Sequence, residues 1–212
     1  MEEMIRQYDV PMDASGEDLD GLLSLMPRPL LEHSRRVALC SAAIAGQAGE
    51  FADSGLPFNL SLELVTHLGG SCHDIGKLLI LDWKRNRARY LLHPEAGALL
   101  LDKYRDTLFD SVTQADIVID IVMHHHERAD GRGFPDGRSS LDITLATGIC
   151  AAADTLDHLL INRPGNPGDC GDVLRHFKRK QGVLFSKTVV LCLERAWPVL
   201  MSMYGEWRAY PA

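Results

Sequence analysis

At 212 residues, with 46% hydrophobic and 24% charged side chains, the chain has the size and composition of one globular domain, and no repeated or Pro/Gly-rich tract points to a solenoid or disorder. A formal net charge of −7 without a dense Lys/Arg run excludes a nucleic-acid polymer as partner, so a small anionic substrate has to meet local positive charge. The five cysteines (Cys40, Cys72, Cys150, Cys170, Cys192) lack CxxC spacing, which argues for a reducing cytoplasm, and no apolar run nears the roughly 18 residues of a membrane span.

The first stretch, 1–26, is acidic and turn-rich and is expected to form an N-terminal arm or short helix; residues 27–212 are expected to form the domain itself. From Leu30, apolar residues recur at helical spacing through Val37, Cys40, Ile44 and Ala48, with Pro29 suited to a first turn, which predicts a long helix up to Gly55. Further helices are expected over 60–72, 94–104, 113–125 and 142–161, the last ending before Arg163-Pro164, and then over 170–181 and 186–203. No alternating strand pattern intervenes, although the β-branched run 117–122 (IVIDIV) would also suit a buried strand. The expected class is all-α.

The histidines and aspartates fall at helix ends and on apolar faces. His33 lies on the apolar stripe of the first long helix, where a histidine is more often a packed core residue than a ligand. His73-Asp74 sets an imidazole beside a carboxylate where a helix is about to break, and HD pairs are common by chance. The run His124-His125-His126-Glu127 is rarer, because adjacent imidazoles at the end of an apolar helix cost packing; a solvated helix end is the plain alternative. His93 precedes Pro94 at an expected helix start. Asp154 stands in an otherwise small and apolar stretch, GICAAADTL, where a carboxylate needs a partner or a metal.

Taken in order, HDIGK at 73–77, HPEAG at 93–97, HHERADGRGFPDG at 125–137 and AADTLDHLLINRP at 152–164 resemble the HD-GYP family, over a stretch from His33 to about Pro164 with a plausible tail at 182–190. The resemblance implies an HD-domain helical bundle and a binuclear phosphodiesterase that hydrolyses cyclic di-GMP to linear pGpG and/or GMP through a metal-bridging hydroxide. By motif position, His33, His73 and Asp154 would hold one divalent ion, His93, His125 and His126 the other, and Asp74 would bridge both. Imidazole with carboxylate suits iron, manganese or nickel, and iron or manganese is expected. Lys77, four residues after His73, would return to the same side near a bound phosphate, and Arg163 would grip phosphate or a guanine edge. The glycine-rich loop 128–137 would shape the site, with Phe134 against the substrate, and is a candidate docking point for a diguanylate cyclase.

The chain departs from that family in four places. Phe134 replaces the named tyrosine and so lacks its hydroxyl; Pro164-Gly165-Asn166 replaces a Pro-Tyr followed by a basic residue; and Pro29 stands where a third-metal glutamate would be, so two metals are expected. The stretch between Lys77 and His93 is short and carries Lys84, Arg85, Arg87 and Arg89, either a substrate entrance or a solvated charged face. Other readings are weaker or narrower. A phosphate-cradling GxxxxGK[ST] loop would need glycine at Ser71 and Ser or Thr at Leu78, and a nucleophilic Cys72 would compete with metal at His73. An HD phosphohydrolase acting on another nucleotide, or a non-catalytic module binding a cyclic dinucleotide or diguanylate cyclase, stays open.

Overall fold

The computed structural model describes residues 18–53, 56, 60–80, 82–161, 163 and 170–209. Among these the regular structure is helical, with only isolated bridges pairing Asp130 with Ser139 and Gln181 with Phe185. Residues 1–17 of the expected arm and the 164–166 departure lie outside the described residues.

Helix α1 (Leu19–Ser24) is capped by Asp18, whose side chain accepts from Gly21 N at 2.9 Å, and it buries Leu22 and Leu23. Helix α2 (Arg28–Ala45) starts with Pro29 in its first turn, as expected, but stops ten residues before Gly55. Gly46 ends it, and Gly49 at φ 51 turns the chain into a short 3-10 segment, Gly49–Asp53; the apolar spacing that suggested continuation survives in the buried Ala48 without helical backbone. Helix α3 (Leu62–Cys72), capped by Ser61, lies along α2, and Gly70 permits the closeness: a Cβ there would sit 2.7 Å from Ala38 Cα.

After α3 the chain tightens into a 3-10 segment, Ile75–Leu79. Short helix α4 (Arg87–Tyr90) leads into α5 (His93–Lys103), short α6 (Arg105–Leu108) and then α7 (Val112–His124). Gly76 seats the 3-10 segment on the start of α5, since a Cβ would lie 2.0 Å from the His93 carbonyl oxygen and 2.5 Å from Gly97 N. The 117–122 run is helical: Val118, Ile121 and Val122 are buried at three- and four-residue spacing, so period decides over β-branching.

Helix α8 (Leu145–Leu160), capped by Thr144, crosses α2, α3 and α7. Helices α9 (Gly171–Lys180) and α10 (Lys187–Ala209) complete the bundle; α10 runs past the expected end at 203 and carries Pro198 within it. Among the described residues two apolar clusters form the core, one built largely from α2, α8 and α10 and one from α1, the Ile75–Leu79 turn, α5 and α7. Helix α7 joins them, sending Ile121 into the first and Val118 and Val122 into the second. All five cysteines are buried, and no disulfide links them. No helix among the described residues is long and apolar enough to cross a membrane.

Candidate metal centre

Three histidines meet at the junction of α5 and α7. His93 opens α5, while His125 and His126 follow the last residue of α7. His93 Nε2 lies 3.3 Å from His125 Nε2 and 3.2 Å from His126 Nε2. On their far sides, His93 Nδ1 meets the Tyr90 carbonyl at 2.6 Å and His125 Nδ1 the Val122 carbonyl at 2.8 Å. A carbonyl only accepts, so each Nδ1 carries the proton and each Nε2 turns a lone pair inward. Burial, reinforced by the neighbouring imidazoles, holds His125 well below the usual histidine range and pushes His126 down to about 3. Imidazole nitrogens that converge in this way form a set that could hold a cation.

The second group lies where α2, α3 and α8 converge. Helix α3 ends at Cys72, so His73 and Asp74 occupy the break, with His73 Nδ1 donating to Gly70 O at 2.8 Å. His33 Nε2 approaches Asp154 Oδ1 at 3.2 Å and His73 Nε2 approaches the same oxygen at 3.8 Å. Despite that proximity, His33 Nε2, His73 Nε2 and Asp154 Oδ1 are buried without a hydrogen-bond partner. Such groups are costly unless a cation satisfies them. Burial works against the charged form at both residues, yet the imidazoles of His33 and His73 hold the Asp154 carboxyl well below its usual range, and Asp154 with Asp157 raises His33 to about 9.

Asp74 lies against both groups, one carboxylate oxygen toward each. Its Oδ2 lies 3.5 Å from His73 Nε2 and 3.8 Å from His33 Nε2, while its Oδ1 lies 3.3 Å from His93 Nε2. Against the burial that would raise it, the His73 and His93 imidazoles and the Lys77 ammonium hold the Asp74 carboxyl low. Lys77, its side chain 7% exposed, pairs with Asp74 Oδ2 and lies over the Trp83 and Tyr90 rings at 4.8 and 5.4 Å. The 3-10 turn, rather than a continued α-helix, brings it there.

Further residues fix these side chains. Asp157, fully buried, accepts His33 Nδ1 at 2.7 Å, Arg36 Nε and Nη2 at 2.8 and 3.0 Å, and the Tyr204 hydroxyl at 2.9 Å. Phe134 stacks on His126 with centroids 4.6 Å apart at 23°, and the Tyr90 hydroxyl meets His126 Nε2 at 3.2 Å. Glu127 Oε1 accepts from Asp136 N and Gly137 N at 2.7 and 2.9 Å, tying the 128–137 loop to the helix end. His124 stays outside both groups, held between Asp120 and Asp136.

A cavity of about 800 Å³ opens onto the centre, lined by His33, Asp74, Lys77, Trp83, Tyr90 and His158 among others. Lys84 and Arg85 line it as well; Arg87 and Arg89 do not. The structure thus unites His33, His73, Asp74, Lys77, His93, His125, His126, Phe134 and Asp154, but not Arg163, whose guanidinium pairs with Asp172 at 2.7 Å. Cys72 is fully buried and its thiol is pushed up to about 12 by burial, which removes it as a nucleophile. Sequence reasoning missed Asp157 and His158, three and four residues beyond Asp154 on the same helical face, and the aromatic pair Trp83 and Tyr90 in the shortened segment.

The HD domain family model matches residues 30–159, which spans every one of these side chains except Arg163, Asp172 and Tyr204. The chain belongs to the HD domain family. A cyclic di-GMP phosphodiesterase of Pseudomonas aeruginosa is 34% identical over 103 residues, covering 48% of this chain and 25% of that protein. A cyclic di-GMP phosphodiesterase of Thermotoga maritima is 28% identical over 203 residues, covering 89% of this chain and 50% of its own length. The chain therefore spans between a quarter and a half of these relatives. Among solved structures, the HD domain of the L. monocytogenes phosphodiesterase PgpH in complex with cyclic-di-AMP superimposes with a TM-score of 0.59 at 17% identity, covering 86% of this chain and 96% of that one. This is a likeness of fold.

Proposed function

We propose that this HD domain is a metal-dependent phosphodiesterase that hydrolyses cyclic di-GMP to linear pGpG and/or GMP. The observation that carries the reading is Asp74, a buried carboxylate whose two oxygens face two separate groups of imidazole nitrogens. One divalent ion, iron or manganese, is assigned to His33, His73 and Asp154, a second to His93, His125 and His126, with Asp74 shared. The orphaned Nε2 atoms of His33 and His73 and the orphaned Asp154 oxygen fit that assignment. Two such ions supply water activation and neutralise charge at phosphorus.

The chain's own residues do the rest. Lys77 pairs with Asp74 and sets an ammonium in the lining of the cavity, where a phosphate oxygen arrives. Trp83 and Tyr90 supply flat faces for a base to stack on, and Lys84 and Arg85 put positive charge at the rim of an acidic protein. Phe134 covers His126 and keeps water off that side of the ring. The paired guanidinium of Arg163 has no part in this reading.

The test is an anaerobic assay of metal-analysed protein supplied with iron or manganese, following cyclic di-GMP and its products by chromatography. Linear dinucleotide or GMP that forms only with metal, and not in Asp74→Ala, supports the proposal. Intact cyclic di-GMP with two ions bound refutes it and turns the assignment to another nucleotide or a binding role.

A further inference from the structure

We propose that His158 is an additional protein ligand of the ion assigned to His33, His73 and Asp154, so that the two ions are held unequally. The inference rests on the two-ion reading given above. His158 stands four residues after Asp154 on α8, one helical turn on, which sets both side chains on one face. Its Nε2 lies 3.4 Å from Asp154 Oδ1, the same oxygen that His33 Nε2 approaches at 3.2 Å and His73 Nε2 at 3.8 Å. The ligand atoms of His33, Asp154 and His158 all fall within 4.8 Å of one another. Three imidazole nitrogens therefore surround one buried carboxylate oxygen that has no hydrogen-bond partner. A cation among them satisfies that oxygen and the nitrogens together.

The orientation of the ring supports the same conclusion. His158 stacks on His33 with centroids 4.8 Å apart and planes 6° from parallel, and the stack brings Nε2 of each ring within 3.4 Å of Asp154 Oδ1. Stacking alone sets the planes but leaves free which edge faces the carboxylate. Unlike the buried side chains of this group, His158 keeps 64% of its side chain exposed and lines the cavity, so it would close the solvent side of this ion. The group of His93, His125 and His126 is closed on the outside by Tyr90 and Phe134 instead, a phenol and an apolar ring. The first ion thus gains a nitrogen donor that the second lacks, and is the more tightly held.

The test is anaerobic calorimetric titration of the metal-stripped full chain with Co²⁺, with the cobalt ligand-field absorption read in parallel. Wild-type protein is expected to show two classes of site. His158→Ala should weaken one class by about tenfold or more, judged from the cost of losing even an outer partner of a ligand, and leave the other unchanged. His158→Phe keeps a ring on His33 but offers no lone pair, and should weaken the same class with the same change in absorption. Wild-type affinity and spectrum in His158→Phe would show that the ring merely packs, and would overturn the proposal, as would two unaltered classes in His158→Ala. Wild-type protein that takes up no ion at all overturns the two-ion reading itself, before any variant is compared. Urea unfolding of the metal-free proteins checks that each variant folds.

Discussion

Asp157→Ala is the most exacting test of how the first half of the centre is supported. The carboxylate is fully buried and accepts from His33, Arg36 and Tyr204 at 2.7 to 3.0 Å, groups brought by α2 and α10. Removing it strands the Arg36 guanidinium, whose side chain is 18% exposed, together with a buried phenol hydroxyl. Breaking one partner of a buried pair costs about 3–5 kcal/mol, and the partial exposure of Arg36 sets the expectation at the lower end, about 3 kcal/mol. With a slope of about 2 kcal/mol per molar urea, the unfolding midpoint of metal-free protein should fall by about 1.5 M. Tyr204→Phe removes a single hydrogen bond to the same charge and should cost about 1.5 kcal/mol. In calorimetric titrations, Asp157→Ala should also weaken the site containing His33 by about 10- to 100-fold, because that ring loses the partner that orients it. A loss of stability below about 1 kcal/mol, or unchanged metal affinity at both sites, would rule out this supporting role for Asp157.

Four further outcomes follow from the same geometry. Asp74→Ala should lose both ions and all hydrolysis, measured by metal analysis and product chromatography; retention of one ion at full affinity contradicts its shared role. Lys77→Ala should keep the metal and lose about 10²-fold in kcat, and loss of metal would remove Lys77 from its phosphate role. Trp83→Ala should raise KM about tenfold with a smaller change in kcat, as expected for a stacking face, and an unchanged KM would exclude base contact there. Gly76→Ala should destabilise the domain by about 3 kcal/mol, seen in thermal melts, because its Cβ would collide with backbone of α5; a melt like wild type would mean the turn can shift.

Much of the candidate centre was legible because its side chains sit at helix breaks and on apolar faces, where an imidazole or carboxylate has few other reasons to be. His93, His125, His126 and Asp74 are examples, each beside a change in backbone periodicity. Helices with good caps and clean spacing, such as α3 behind Ser61 and α7 behind Ser111, were readable for the same reason. The end of α2 was not, since apolar residues continue past Gly46 and only the backbone changes. Support for His33 was invisible for a different cause. Asp157 and Tyr204 lie on α8 and α10, more than a hundred residues from His33, and α10 was expected to stop one residue short of Tyr204. Arg163 follows α8 closely in sequence, yet Asp172 from α9 captures its guanidinium, a competition that local sequence does not express. Trp83 and Tyr90 stand among basic residues with nothing in the local sequence to mark them, whereas in space Lys77 lies against both rings.

Anomalous scattering decides whether two ions share Asp74. Crystals of anaerobically purified protein, measured at the iron and manganese edges, should show two peaks: one among His33, His73 and Asp154, the other among His93, His125 and His126, with Asp74 contacting each. A single peak, or two peaks that leave Asp74 touching only one, would rule out a shared two-ion centre.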